Sequence, residues 1–214
     1  MGEQIDIVSA TGAHLRTADR HEVHHGGHWH DVFHCVVVRP DPPARVLLQR
    51  RHRAKKAFPG LLDLSATGHL AAGETPDDGV RELNEELGTD ATAADLTYIG
   101  VRLLADDDGE GRNRERVHLY FAIDDRPIDA FSPAADEVES LVEVEVAPML
   151  AAIDHVRSGV GGGPAVPAVE WRPGAAPLPT TIEAEDLIKP ADGYWTVVLV
   201  MVDRFVRGDG PLAI

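Results

Sequence analysis

Short apolar blocks alternate with polar, glycine- and proline-bearing stretches along most of the chain, a pattern of strands with a few helices. Phe33 to Val38 reads as a buried strand and Arg45 to Gln49 as its neighbour, with Pro40-Asp41-Pro42-Pro43 as the turn between them. Leu96 to Leu104 and Val117 to Ile123 read as a second pair about the acidic turn Asp106 to Gly111, and Leu141 to Val146 as a further strand. From Thr75 the apolar period lengthens to that of a helix. Thr75 suits an N-cap, Pro76 a first helical position, and Asp77 and Asp78 the first turn, where the helix dipole favours negative charge. Val80, Leu83 and Leu87 make the inward stripe and Gly88 the stop, which predicts a helix of about three turns. Pro148 to Val156 predicts another helix. Tyr194 to Val206 predicts a closing apolar helix, although its valines leave a strand open.

These elements predict one α/β (α+β) domain over residues 1–214, a helix–sheet sandwich whose core spans about 20–157. Residues 158–190 carry the Gly-, Pro- and Ala-rich run Ser158 to Pro179 and read as an irregular excursion, with 191–214 as the closing element. The longest apolar candidate, Trp195 to Val202, is far too short to span a bilayer, so no membrane partner is expected. Met1 to Asp6 lacks the basic and apolar regions of a signal peptide, and the lone Cys35 has no disulfide partner; together these predict a cytoplasmic protein. Cys35 falls inside a predicted strand and reads as core, as do Trp171, Tyr194 and Trp195.

Charge narrows the partners. With 36 acidic and 20 basic residues the chain carries a formal −16, which argues against a nucleic-acid duplex, because phosphate backbones need a basic face. An anionic small molecule would need a bridging cation or a local basic cluster. The run Arg50-Arg51-His52-Arg53-Ala54-Lys55-Lys56 is the densest basic cluster in the chain. Glu82 and Glu86, four apart, project from one helical face with Glu85 beside them. Carboxylates so close repel unless a cation lies between them, and magnesium favours such oxygen ligands while leaving positions for substrate phosphates. The glycine-rich stretch Gly68 to Glu74 ahead of the helix lets backbone groups approach the same place.

The segment from Gly68 to Gly88 resembles the Nudix box. Gly68, Glu74, Arg81, Glu82, Leu83, Glu85, Glu86 and Gly88 occupy its fixed positions. Two departures stand out: six residues, Thr75 to Val80, separate Glu74 from Arg81 where the signature has seven, and Thr89 replaces a final apolar residue. The deletion leaves the mutual phase of the glutamates untouched. It bears instead on the contact between Glu74 and Arg81, which in that family braces loop against helix. The run from Arg50 through Gly60 to Gly68-His69, together with Trp29 to His34, is similar to the isopentenyl-diphosphate isomerase branch of the same superfamily. The resemblance covers roughly residues 20–150. It implies a Nudix-type helix–sheet–helix sandwich with a mixed sheet, diphosphate binding by Arg51 and Lys55, and metal binding at His30 and His69. It also marks a gap. That branch needs a cysteine immediately before the Gly-His pair, where this chain has Thr67, and two metal-binding glutamates just before a later strand, where it has Arg114 and Arg116, with Glu115 between them able to take the role in a shifted register.

The expectation is therefore a magnesium- or manganese-dependent hydrolase that cleaves the diphosphate of a small molecule, most simply a nucleoside diphosphate derivative. Glu82, Glu85, Glu86 and the Gly68 carbonyl would hold metal; Arg51, Lys55, Gly68 and His69 would bind substrate; Glu82, Glu86 or Glu137 would act as base. Two alternatives stand beside it: an isomerase-like enzyme, which Thr67 argues against, and a nucleotide-sensing module without catalysis. A homodimer is left open. The six histidines between His21 and His34 fit no structural zinc spacing, and strand alternation puts His30, Val32 and His34 on one face, which need not be the face of the glutamates.

Overall fold

Strand formation follows the β-branched and aromatic runs, but the strands extend further than those runs. The computed structural model describes residues 2–108, 111–159, 163–189 and 192–214. In chain order its elements are β1 (Gln4–Val8), β2 (His14–Asp19), α1 (Arg20–Gly26), β3 (His30–Arg39), β4 (Arg45–Arg51), β5 (Leu62–Asp63) and β6 (Ala66–His69). There follow α2 (Val80–Leu87), β7 (Leu96–Asp108), β8 (Gly111–Ile123), β9 (Val138–Glu145), α3 (Val146–Arg157), β10 (Val166–Trp171), β11 (Leu178–Ile182) and α4 (Tyr194–Arg207).

β3 is the spine. One edge runs parallel to β8, from His30 opposite Glu115 to Val38 opposite Ile123. The other edge is shared by three antiparallel partners: β1 where Ile7 meets His30, β6 along Val32 to Cys35, and β4 along Val37 to Arg39. β7 lies beyond β8, while β9, β10 and β11 extend the sheet beyond β4. One parallel pair among antiparallel ones makes the sheet mixed, as expected.

Both faces of the spine are covered, which explains its nearly continuous apolar sequence. Phe33, Cys35 and Val37 pack with Leu83 and Leu87 of α2. Val32, Val36 and Val38 pack on the other face with Met149 of α3 and Val198, Leu199 and Val202 of α4. Cys35, Trp171, Tyr194 and Trp195 are buried. The closing element is a helix: its valines are spaced to cover one face of the sheet, and tertiary packing overrides their strand propensity.

Four expectations change. The single helix from Thr75 divides into a 3-10 turn, Pro76–Gly79, and the eight-residue α2. The joint is Gly79, where an added Cβ would lie 2.5 Å from the Phe33 ring, so the absence of a side chain lets the turn lie directly on the spine. The stretch read as an irregular excursion contains the β10–β11 hairpin, whose inner strand pairs with β9 from Ala168 opposite Val144 to Trp171 opposite Leu141. Val166 and Ala168 pack into the core on one face and Trp171 into that on the other, which holds it there. Residues 160–162 and 190–191, and 109–110 of the acidic turn, lie outside the described residues. The amino-terminal residues, outside the expected core, form a hairpin and α1, joined to the spine where Ile7 meets His30. Val146 and Ala147 join the third helix ahead of Pro148, which occupies its first turn, where a missing N–H costs nothing.

Candidate active site

Strand β6 divides the site in two, because its alternating residues point to opposite faces of the sheet. Gly68, paired with Phe33, faces α2; Thr67 and His69, paired with His34 and Val32, belong to the α4 face.

On the α2 side, a Cβ at Gly68 would collide with the Glu82 carboxylate, so glycine is what lets helix and strand approach. Arg81 braces the approach. Its Nε donates to Glu74 Oε1 at 2.7 Å, Nη2 to Glu74 Oε2 at 3.0 Å and to the His69 carbonyl at 2.9 Å, and Nη1 to Glu82 Oε1 at 2.6 Å. The contact between Glu74 and Arg81 thus survives the one-residue deletion. Glu86 is buried, and its Oε2 accepts from Gln49 Nε2 at 2.8 Å and from the Thr67 amide at 3.0 Å. Burial pushes its carboxyl up to about 8 despite those two bonds, with Asp63 and Glu82 adding to the rise. Glu82 is also raised, by burial first, against the pull of Arg81. Glu85 is different: its side chain is 64% exposed and reaches only Arg81, at 3.8 Å. Glu82 and Glu86 line the site, and Glu85 stands at its rim.

The basic loop is largely neutralised by its own neighbours. Arg50 pairs with Glu170 at 3.1 Å, Arg51 with Asp63 at 3.2 Å, Arg53 with Glu139 at 3.0 Å, and Lys55 with Glu137. Lys55 and Glu137, expected to bind substrate and to serve as base, are therefore partners of each other. Asp63 was not anticipated. Its carboxyl is raised by burial and also accepts from Thr67 Oγ1 at 3.4 Å. Gln49 was not anticipated either, although a polar residue two after Leu47 on a buried strand face was a usable signal.

On the α4 side, His24 from the last turn of α1, His30 from β3 and His69 from β6 place ligand nitrogens within 4.8 Å of one another. His24 Nε2 lies 3.0 Å from His69 Nε2. His30 is fully buried; its Nδ1 bonds the His28 carbonyl at 2.9 Å, which leaves Nε2 buried with no partner. Burial holds all three rings below the ordinary histidine range, so they are neutral ligands at physiological pH. Glu115, opposite His30 on β8, lies close enough to influence His24 but is not one of this group; Asn113 Nδ2 donates to it at 2.6 Å and burial pushes its carboxyl up.

The register of β8 follows the alternative in which Glu115, and not its flanking arginines, faces His30. Arg116 turns to Asp31 at 2.6 Å, and Arg114 bonds the Asp106 and Asn113 carbonyls at 3.3 and 2.9 Å. Counting back by twos from buried Leu119 and Val117 leads to Glu115, so the signal lay in the sequence. His24 had none: Val23 is the one buried residue of α1, and nothing in that short helix marks the histidine after it.

Two donor sets thus fit divalent ions. The carboxylates suit a hard ion such as magnesium or manganese, being oxygen donors that burial and their acidic neighbours raise in pKa. The nitrogen-rich set, with an orphaned buried Nε2, suits a transition ion. Thr67 lies between the two sets and bonds to Glu86 and Asp63, with a hydroxyl where isomerase chemistry needs a thiol.

Comparison with known proteins agrees with this geometry. The family model described as NUDIX domain matches residues 28–158. An uncharacterized Nudix hydrolase of Clostridium acetobutylicum is 33% identical over 198 residues, covering 92% of this chain and 95% of that protein. An isopentenyl-diphosphate Delta-isomerase of Leifsonia xyli is 33% identical over 140 residues, covering 64% of this chain and 73% of the isomerase. A crystal structure of a Deinococcus radiodurans protein superposes with a TM-score of 0.53 at 18% identity, over 75% of this chain and 91% of that one, a likeness of fold.

Proposed function

The chain belongs to the Nudix family, as an enzyme acting on phosphorus-containing anhydrides, and from that premise we propose that it hydrolyses the diphosphate of a nucleoside diphosphate derivative with magnesium or manganese. The observation that carries this reading is the pair Glu82 and Glu86. Glu82 packs against Gly68 and Glu86 accepts from the Thr67 amide beside it, both withdrawn from water, and burial raises both carboxyls above the ordinary carboxylate range. Glu82, Glu86 and the Gly68 carbonyl would hold the ion, with Glu85 closing over it from the rim. Bound there, a divalent cation neutralises diphosphate oxygens and lowers the pKa of a nearby water.

The chain's own residues do the rest. Arg51 and Lys55 exchange Asp63 and Glu137 for substrate oxygens, so that charge arriving with the substrate replaces charge already present. Water attacks one phosphorus, the bridging P–O bond breaks, and the leaving phosphate departs with its electron pair. The water's proton goes to Glu86, at Oε1, since Oε2 already accepts from Gln49 and Thr67. Glu137, released from Lys55, is the alternative base. His24, His30 and His69 would hold a second ion on the far side of β6, with Glu115 nearby.

The test is a panel of diphosphate compounds incubated with wild type and Glu86→Gln in magnesium or manganese. Release of phosphate or nucleotide that needs the metal and falls at least ~100-fold in the variant, about 2.7 kcal/mol in barrier, supports the reading. Turnover of none of them would sink it, and nucleotide binding in EDTA would then favour a sensing module. Conversion of isopentenyl diphosphate to its allylic isomer, with no phosphate released, would favour the isomerase branch instead.

A further inference from the structure

Arg102 stands apart from the other basic residues around the site. The arginines and Lys55 of the basic loop all have carboxylate partners, and so does Arg116. Arg102, partly buried on β7, has neither an ion pair nor a hydrogen bond among the described residues, and its Nε is buried without a partner. Among the described residues it lies over an aromatic face: the guanidinium carbon is 5.8 Å from the centre of the Tyr194 ring. A guanidinium stacked in this way is held in orientation while its N–H edge stays free. A buried donor left unsatisfied is costly, and in a chain of formal charge −16 an unpaired arginine beside an acidic site is conspicuous.

The sheet register shows where it lies. Arg102 is opposite Val117, Val117 is opposite Val32, and Val32 is opposite His69, so the four side chains form one row on the α4 face. Arg102 is thus three strand spacings from β6, roughly 14 Å. Val117 and Val32 between them are buried core, so a substrate spanning this separation would pass over them between Arg102 and His69, which are only partly buried. Tyr194 connects the two ends. Its hydroxyl is 2.9 Å from His34 Nδ1, and His34 is opposite Thr67, the residue between the two ligand sets.

We propose that Arg102, oriented by Tyr194, is a specificity-determining residue that binds a second anionic group of the substrate, a carboxylate or phosphate monoester, remote from the scissile diphosphate. This rests on the hydrolase reading and adds to it the class of diphosphate preferred. His34, a neutral ring bonded to Tyr194, fixes the tyrosine and is a positioning residue.

The test uses two matched pairs: UDP-glucose with UDP-glucuronate, which differ by one carboxylate, and NAD with NADP, which differ by one phosphate. Dissociation constants and product release are measured in magnesium for wild type, Arg102→Gln and Arg102→Lys. Wild type is expected to prefer the more anionic member of at least one pair by ~10-fold or more. Arg102→Gln should abolish that preference while leaving the other member's affinity within about twofold, and Arg102→Lys should restore part of it. No preference in either pair, or one that survives Arg102→Gln, overturns the proposal, as does failure of all four to bind. Product release reports on the hydrolase reading separately: a preference in binding with no product from any diphosphate would keep the Arg102 site and discard the chemistry.

Discussion

The carboxylates on one side of strand β6 and the histidines on the other are assembled by different means. Glu74, Arg81, Glu82 and Glu86 lie within thirteen positions of one another in the sequence, and a turn and a short helix suffice to bring them together. Their hydrogen bonds are largely met within the group: Arg81 alone satisfies oxygens of Glu74, Glu82 and His69. The histidine set comes from α1, β3 and β6, with Glu115 from β8, and forms only once β3 has paired with strands on both edges. It also keeps an orphaned atom, His30 Nε2. Local sequence can specify a satisfied cluster; a cluster built by register depends on the whole sheet and retains its unmet valence for a ligand.

The largest effect that would sharpen this contrast is on metal stoichiometry. Titrating manganese into the metal-free protein should show two classes of site. His24→Ala should remove the nitrogen-rich one, with affinity falling at least ~10-fold, and leave the carboxylate class in place. Glu86→Gln should do the reverse. One class lost in both variants would mean that the two sides of β6 form a single site.

A smaller effect tests the brace. Glu74→Gln removes the charge from a two-point contact with Arg81 whose side chains are 23% and 32% exposed, so the loss should be about 1 kcal/mol after allowing for solvent screening. In a chain of 214 residues that is a fall of about 2–4 °C in Tm. An equal change at Glu85, which stands at the rim, would contradict the division between braced and rim carboxylates.

What could be read from the sequence follows the same division. The helix with Glu82 and Glu86, the glycines at 68 and 88 and the strands at 33–38 and 117–123 were legible because each is specified by residues a few positions apart. The Glu74–Arg81 contact was put in question by a deletion that a 3-10 turn over Gly79 accommodates. Glu115 was legible only by carrying strand alternation back from Leu119 past two arginines. His24, Asp63 and the pairing of Lys55 with Glu137 were not legible, since each depends on which strand edge or loop another segment meets. Arg102 is the extreme case: one arginine in an apolar strand carries no signal until Tyr194, 92 positions later, packs against it.

The remaining prediction concerns pH, where the two regions should leave opposite signatures in the metal-free protein. Glu86 has a folded pKa of about 8, against 4.5 ordinarily. Between those values the folded state holds more protons than the unfolded, so this group makes stability fall as pH rises. His34 is the reverse. Burial lowers its pKa from 6.5 to about 3, so between those values the unfolded state holds the extra proton and stability rises with pH, complete above 6.5. His34→Gln should therefore flatten the acid limb of a stability–pH curve below about 6.5, measured by urea unfolding in EDTA, and leave the descending limb above it unchanged. Because Tyr194 gains a comparable partner from glutamine, the loss at neutral pH should be small beside the change of slope. An acid limb that keeps its slope in this variant would mean that the histidine is hydrated in the folded state, and that the wall joining Thr67 to Arg102 is open to water.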